Sequence, residues 1–205
     1  MFKIFEGCSN LTSITIPSSI TTISGSSFGS CTSLTSVTIP NNVTRIGDGA
    51  FSGCSSLISV TIPNSVTIID KFAFHGCIGL KSIILGKSVS RIEYYSFANC
   101  LELTDVYCLA ENVPNTLAYA FLDSFIEYAT LHVPAESLEA YKNSEPWKLF
   151  MEVVPLDDSE ISETSISNNV LEKKQNAQIY DIYGRRLSKP SKGVNIMDGK
   201  KVIIK

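Results

Sequence analysis

Apolar positions in the first half of the chain recur every 23 residues, and Ser, Thr and Gly fill most of the positions between them. Self-similarity at a fixed period of roughly 20 to 50 residues is typical of solenoids, in which each repeat stacks on the next. Three apolar columns keep this step without a slip: Phe5, Phe28, Phe51, Phe74 and Phe97; Cys8, Cys31, Cys54, Cys77 and Cys100; and Leu11, Leu34, Leu57, Leu80 and Leu103.

Each unit contains one short strand. In the third unit, Leu57, Val60 and Ile62 have the spacing L-x-x-L-x-L, and Thr61 is the outward residue between two β-branched neighbours. Pro63 ends the strand because proline has no N–H to donate to a ladder. No unit can bury its apolar face alone, so we predict a β-rich, right-handed solenoid with units stacked at about 4.8 Å.

These offsets resemble the BspA-like leucine-rich repeats of Bacteroidetes and some protists, whose unit is F-x-x-C-x-x-L-x-x-I-x-I-P followed by V-x-x-I-x-x-x-A-F. The resemblance covers residues 5 to about 155. It departs at Gly86, where the family has Pro, and after Val106, where the spacing stretches. The resemblance implies a secreted or cell-surface protein that acts in adhesion or protein binding.

The pattern changes after Pro134. Leu138 and Tyr141 lie on one face of a short amphipathic helix, and Trp147, Phe150 and a strand-like stretch follow. We expect residues 135–155 to cap the solenoid of residues 1–155, because an open solenoid end must be covered.

Residues 156–168 are rich in Ser and acidic residues, which predicts a linker. Residues 169–205 have the pattern of a small β domain, with a tight hairpin turn at Asp198-Gly199. This segment resembles the C-terminal sorting domains of exported Bacteroidetes proteins, which implies export and attachment or processing at the envelope.

The outward columns of the strands change character along the chain. One column runs from Thr15, Thr38 and Thr61 to Ile84, Tyr107 and His132; its neighbour runs from Ser13, Ser36, Ser59 and Ser82 to Asp105 and Thr130. The candidate binding residues are therefore Ile84, Asp105, Tyr107, Thr130 and His132, since aromatic and charged side chains on a rigid sheet suit recognition. The alternative is an irregular surface next to the cap.

The six cysteines are expected to be free thiols in the core. Five share one column, and no C-x-x-C pair indicates a zinc site. No catalytic or phosphate-binding motif is present, and His75 occupies a variable loop column, where we expect an ordinary exposed residue. We therefore expect no enzyme activity, no metal and no cofactor.

The net charge of −3 is unevenly distributed, with nine basic and three acidic residues in positions 169–205. This tail contains no recognised nucleic-acid-binding motif, and a solvated charged surface explains it, so no nucleic-acid partner is expected. No apolar run approaches the ~20 residues of a membrane helix. No signal sequence precedes Phe5 and no cap covers it, which predicts either further sequence upstream or contact of this edge with another copy.

Two functions from different classes fit these observations. The first is a non-catalytic, exported binding or adhesion module that presents a rigid repeat face to a macromolecular ligand, either a protein or a glycan. The second is a structural spacer or envelope scaffold without a dedicated ligand, which fits the uniform Ser/Thr face of the first three units.

Overall fold

The computed structural model describes residues 4–156 and, further along the chain, the backbone of residues 179–181, 186–187, 193–197 and 200–204. Residues 4–156 form the predicted parallel β-solenoid. We number its coils 1 to 6 by the core phenylalanine that each contains: Phe5, Phe28, Phe51, Phe74, Phe97 and Phe121.

Coils 1 to 5 each contribute a longer strand to one wall of the solenoid and a shorter strand to another, whereas coil 6 contributes a longer strand that is followed by one more. The longer strands are β1 (Ser13–Thr15), β3 (Ser36–Thr38), β5 (Ser59–Ile62), β7 (Ser82–Leu85), β9 (Asp105–Cys108), β11 (Thr130–Val133) and β12 (Glu152–Pro155). The shorter strands are β2 (Thr22–Ile23), β4 (Arg45–Ile46), β6 (Ile68–Ile69), β8 (Arg91–Ile92) and β10 (Asn115–Thr116).

The strands pair in parallel with the register that the repeat predicts. Ser59 pairs with Ser82 and Ser82 pairs with Asp105, a step of one repeat each time. The next partner of Asp105 is Thr130, two residues later than a uniform step would give. The predicted irregularity after Val106 therefore lengthens the connection between β9 and β11, and the pairing of the sheet continues across it.

The core is a stack of like residues. Rings of successive coils lie nearly parallel, with centroids 5.1 Å apart between Phe28 and Phe51 and 5.3 Å apart between Phe74 and Phe97. The prediction that the Phe and Cys columns are buried is confirmed from coil 2 onward. It is wrong for coil 1, where Phe5 is half-buried and Cys8 is exposed, because only coil 2 packs against them within the described residues.

The structure gives a physical reason for Gly86 at the position where the family pattern has Pro. Its backbone N–H donates to the carbonyl oxygen of Ile62 at 2.9 Å, a bond that proline cannot make. A Cβ at this position would lie 2.6 Å from the carbonyl carbon of Pro63. The two coils therefore approach so closely here that the chain requires glycine.

Beyond coil 6, short helices bring aromatic side chains onto the end of the Phe stack. The α-helix α1 (Leu138–Lys142) forms where the pattern predicts it, and 3-10 turns occur at Ile126–Tyr128, Ala135–Ser137 and Trp147–Leu149. Phe121 meets Trp147 and Phe150 edge-on, with ring centroids 5.7 and 5.6 Å apart. Trp147 in turn meets Tyr141 at 5.5 Å.

The chain divides into two compact units, residues 1–163 and 164–205. In the second unit, β13 (Ile179–Asp181), β14 (Arg186–Leu187), β15 (Gly193–Met197) and β16 (Lys200–Ile204) form an antiparallel sheet in the order β14-β13-β15-β16. The predicted turn at Asp198-Gly199 and the predicted linker, apart from Leu156, lie outside the described residues.

Candidate functional site

The five candidate residues of the sheet lie on neighbouring strands. Ile84 pairs with Tyr107, and Tyr107 pairs with His132. Asp105 pairs with Thr130 in the adjacent column. The structure therefore brings these five residues, which we call the sheet patch, into one small area.

Contacts within the sheet patch are specific. The rings of Tyr107 and His132 stack with centroids 4.2 Å apart and planes at 10°. Nε2 of His132 lies 3.4 Å from Oδ1 of Asp105, whose other carboxylate oxygen accepts a hydrogen bond from the Thr104 hydroxyl at 2.8 Å.

The side chains of the sheet patch are less exposed than their outward positions on the strands predict. Ile84 and Tyr107 are only 3% and 2% exposed, whereas Asp105, Thr130 and His132 are half-buried. Tyr107 lies between the paired residues Ile84 and His132 on adjacent strands, and stacking with His132 covers one face of its ring. The expectation of an exposed aromatic ring at this position is therefore wrong.

A second group of side chains lies in the turns of the coils, outside the strands that carry the sheet patch. Two positions in each of coils 2 to 6, two residues on either side of the core phenylalanine, have left-handed backbone conformation. The first column is Ser26, Gly49, Phe72, Tyr95 and Tyr119, with φ between 53° and 64°; the second is Ser30, Gly53, Gly76, Asn99 and Asp123, with φ between 57° and 73°.

The residues of the second column are those that such a backbone favours, mainly Gly, Asn and Asp. The first column changes from Ser26 and Gly49 to three aromatic residues, which the left-handed region disfavours. Local backbone preference therefore does not explain why aromatic residues occupy coils 4 to 6.

Phe72, Tyr95 and Tyr119 form a stack of their own on the outside of the solenoid, which we call the aromatic column. Ring centroids are 5.3 Å apart between Phe72 and Tyr95 and 5.8 Å apart between Tyr95 and Tyr119, with planes within 11°. Phe72 is 37% exposed and Tyr119 is 58% exposed. Tyr95 between them is half-buried, so the two ends of the column are its most accessible parts.

His75 lies beside the aromatic column and is half-buried, so the expectation of an ordinary exposed residue is wrong. Its ring meets Phe72 edge-on with centroids 5.6 Å apart. Its Nε2 lies 3.2 Å from Nδ2 of Asn99 in the next coil. These contacts hold the His75 ring and the Asn99 amide group together beside the aromatic column.

The aromatic column was not predicted, because its residues lie outside the core and strand positions on which the predictions rested. A signal was present, since the position two residues before each core phenylalanine changes from Ser and Gly to Phe and Tyr at coil 4. Without backbone angles, however, this position could not be recognised as a turn in which those residues are unusual.

The chain was then compared with known proteins. The profile of the BspA type leucine rich repeat region matches residues 2–143 in 6 copies. The chain belongs to this family. Among curated proteins, none matches the chain.

Solved structures similar to this BspA-type chain share its solenoid fold. The leucine rich repeat protein TpLRR of T. pallidum has a TM-score of 0.58 and 24% identity, over 78% of this chain and 82% of the other. The pneumococcal vaccine antigen PcpA has a TM-score of 0.56 and 18% identity, over 72% of this chain and 42% of the other.

The thiols of this BspA-type solenoid form hydrogen bonds between coils. The Cys54 thiol donates to the Phe28 carbonyl oxygen at 3.1 Å, and Cys31, Cys77 and Cys100 donate to the Phe carbonyl in the equivalent position. Burial raises the pKa of the Cys54 and Cys100 thiols to about 12 and that of Cys108 to about 11. Such thiols are poor nucleophiles and poor metal ligands.

Two further classes of site were sought in the part of the chain that the structure describes. No group of His, Cys, Asp and Glu side chains there is arranged to hold a metal ion. No helix there has the length and apolar character needed to cross a bilayer.

Proposed function

We propose that this chain is a non-catalytic binding or adhesion module of an exported, cell-surface or secreted protein, and that its rigid repeat face contacts a macromolecular ligand, either a protein or a glycan. The observation that carries the proposal is the aromatic column. Three rings in consecutive coils, of which Phe72 and Tyr119 are exposed and Tyr95 is half-buried, occupy backbone positions that disfavour them, and residues held against local preference concentrate at functional sites.

Further exposed apolar side chains in the same coils support this assignment. Ile78 and Leu101, which occupy one repeat position in coils 4 and 5, are also exposed, as is Phe125 beyond them. Clustered exposed apolar side chains mark interaction sites more often than isolated ones do. Stacked coils hold these residues in place, so binding costs little ordering entropy.

The sheet patch remains a second proposed contact surface. Asp105, Thr130 and His132 are its accessible members, and Ile84 and Tyr107 support them from within. Export is supported by the resemblance of residues 169–205 to sorting domains and by the fold shared with a pneumococcal vaccine antigen.

A screen of the full-length chain against immobilised extracellular-matrix proteins and a printed glycan array tests the proposal. The decisive variant is the triple substitution Phe72→Asn, Tyr95→Asn and Tyr119→Asn, because Asn tolerates left-handed backbone. Tyr128→Asn, which removes an exposed aromatic residue outside the column, is the control. We expect a ligand that the triple variant loses and the control retains.

The alternative is a spacer without a dedicated ligand. The exposed Ser and Thr residues of β1 and β3 favour it for the first two coils. Under this alternative neither the matrix proteins nor the glycan array show binding above background, and the triple variant behaves like the unsubstituted chain.

A further inference from the structure

One end of the aromatic column lacks a neighbour. Tyr95 stacks on the side of Phe72 toward coil 5. On the side toward coil 3, the residue in the matching position is Gly49, which has no side chain. The stack therefore stops at Phe72, although the left-handed backbone position continues into coil 3.

Small polar residues surround the position where the next ring would lie. A Cβ built on Gly49 would lie 3.5 Å from Oγ of Ser26 and 3.8 Å from Cβ of Ser52, with no other atom within 4 Å apart from Gly49 and its two chain neighbours. There is room at Gly49 for an added group, and hydroxyl-bearing residues border that space. We call it the Gly49 slot.

An ion pair bridges the same two coils. Nζ of Lys71, the residue before Phe72, lies 3.4 Å from Oδ2 of Asp48, the residue before Gly49. Both side chains are more than half exposed, so the ammonium group can still donate and the carboxylate can still accept hydrogen bonds to a ligand. The paired charges cancel, and the slot carries no net charge that would attract a polyanion.

We propose that the Gly49 slot binds a neutral sugar residue of a glycan chain, which adds one further ring to the stack on Phe72. This inference rests on the proposed function and names the ligand class for one end of the aromatic column. A pyranose ring has an apolar C–H face that packs on an aromatic ring, and hydroxyl groups that both donate and accept hydrogen bonds. The slot offers a ring, a donor and an acceptor together.

The slot favours a sugar over an aromatic side chain of a peptide. A phenyl ring would match Phe72 equally well, but it would leave Lys71 and Asp48 with no new hydrogen bonds at its edge. Neighbouring hydroxyl groups of a sugar can bond to both members of the pair at once.

The test uses the full-length chain and two substitutions in one coil. Gly49→Asn fills the slot while keeping a residue that tolerates positive φ. Gly53→Asn makes the same chemical change four residues later, in the second left-handed column, where a Cβ has only ordinary contacts at 3.6 Å or more. Phe72→Asn removes the ring itself, and thermal melts establish that each variant is folded.

On a printed array of neutral, sialylated and sulfated glycans, we expect the unsubstituted chain and Gly53→Asn to bind neutral glycans. Gly49→Asn and Phe72→Asn should each weaken that binding by about tenfold or more, the equivalent of 1.4 kcal/mol. Titration of the isolated neutral sugar, followed by NMR, should shift the amide signals of Gly49 and Phe72 first.

Four results would overturn the inference. Binding confined to anionic glycans, or neutral-glycan binding unaffected by Gly49→Asn, would exclude the slot as the sugar site. Binding to matrix proteins alone, lost in the aromatic-column triple variant, would leave the proposed function standing and refute the sugar. Absence of binding to both the glycan array and the matrix proteins would refute the inference and the proposed function together.

Discussion

The Sγ atom of Cys54 lies 3.1 Å from the carbonyl oxygen of Phe28, one coil away along the solenoid. The same Cys-to-Phe bond recurs between coils 1 and 2, 3 and 4, and 4 and 5, and in coil 6 the hydroxyl of Ser124 donates to the Phe97 carbonyl from the equivalent position. The Phe28 carbonyl also accepts the backbone N–H of Cys31 at 3.3 Å, so the thiol adds a second hydrogen bond, between coils, that Ala could not make.

Free buried thiols predict a definite pattern of chemical reactivity. All six cysteines are free, and only Cys8 is exposed. We expect a thiol reagent at mildly alkaline pH to modify one cysteine of the native, unreduced protein quickly and the other five only after unfolding. A denatured, unreduced sample that yields fewer than six thiols would reveal disulfides and contradict the ladder.

The raised pKa of the thiols predicts loss of stability in base. The pKa of Cys54 is about 12 in the folded chain, against an ordinary value of 9.0. The folded state therefore holds this proton more tightly, so its stabilising effect is complete below about pH 9 and declines as pH rises toward 12. Urea unfolding across this range should show a falling free energy of unfolding, and Cys54→Ala should fall less steeply.

The strand faces can be checked with a matched pair of substitutions. Leu57 is fully buried, and Leu57→Ala should lower the free energy of unfolding by about 2–5 kcal/mol because it opens a cavity. Thr38 is exposed on β3, and Thr38→Ala should cost less than about 0.5 kcal/mol. Equal losses in denaturant melts would mean that the inward and outward columns are misassigned.

The close approach at Gly86 predicts that even alanine is harmful there. A Cβ at Gly86 would lie 2.6 Å from backbone atoms of Pro63, so the coils must separate locally, at a cost of about 1–3 kcal/mol. Gly29→Ala is the control, since a Cβ there has its nearest contact at 3.5 Å and the backbone φ is not left-handed. Thermal melts in which both variants behave alike would remove the steric explanation.

The solenoid was predictable because every unit repeats the same residues that determine the fold. A core phenylalanine and a strand in every unit specify the stacking several times over, and the register of Ser59 on Ser82 follows from the period alone. The helix at Leu138–Lys142 was predictable from its apolar face. Cys8 was misjudged because a column position implies burial only when coils pack on both sides.

The candidate site was less predictable, for two physical reasons. Position in an outward column describes the direction of a side chain, and Tyr107 shows that an outward ring can still be covered by its neighbours on the sheet. The exposure of Phe72 and Tyr119 depends on left-handed turns, which have no fixed sequence signature when aromatic residues occupy them. The burial of Tyr107 and the exposure of Phe72 and Tyr119 therefore depend on the folded backbone, and the sequence alone does not indicate them.

The constant step of 23 residues in the first five coils has a consequence for how such a chain can change over time. Because each residue bonds to its counterpart one unit away, excision of residues 24–46 by unequal recombination would join Ile23 to Gly47 and rebuild the same contacts one coil lower. The axial reach would shorten by about 4.8 Å, the spacing of one strand. Ser26 would be lost, but Gly49 and the rings of Phe72, Tyr95 and Tyr119 would be retained, so the solenoid can shorten while it keeps the aromatic column.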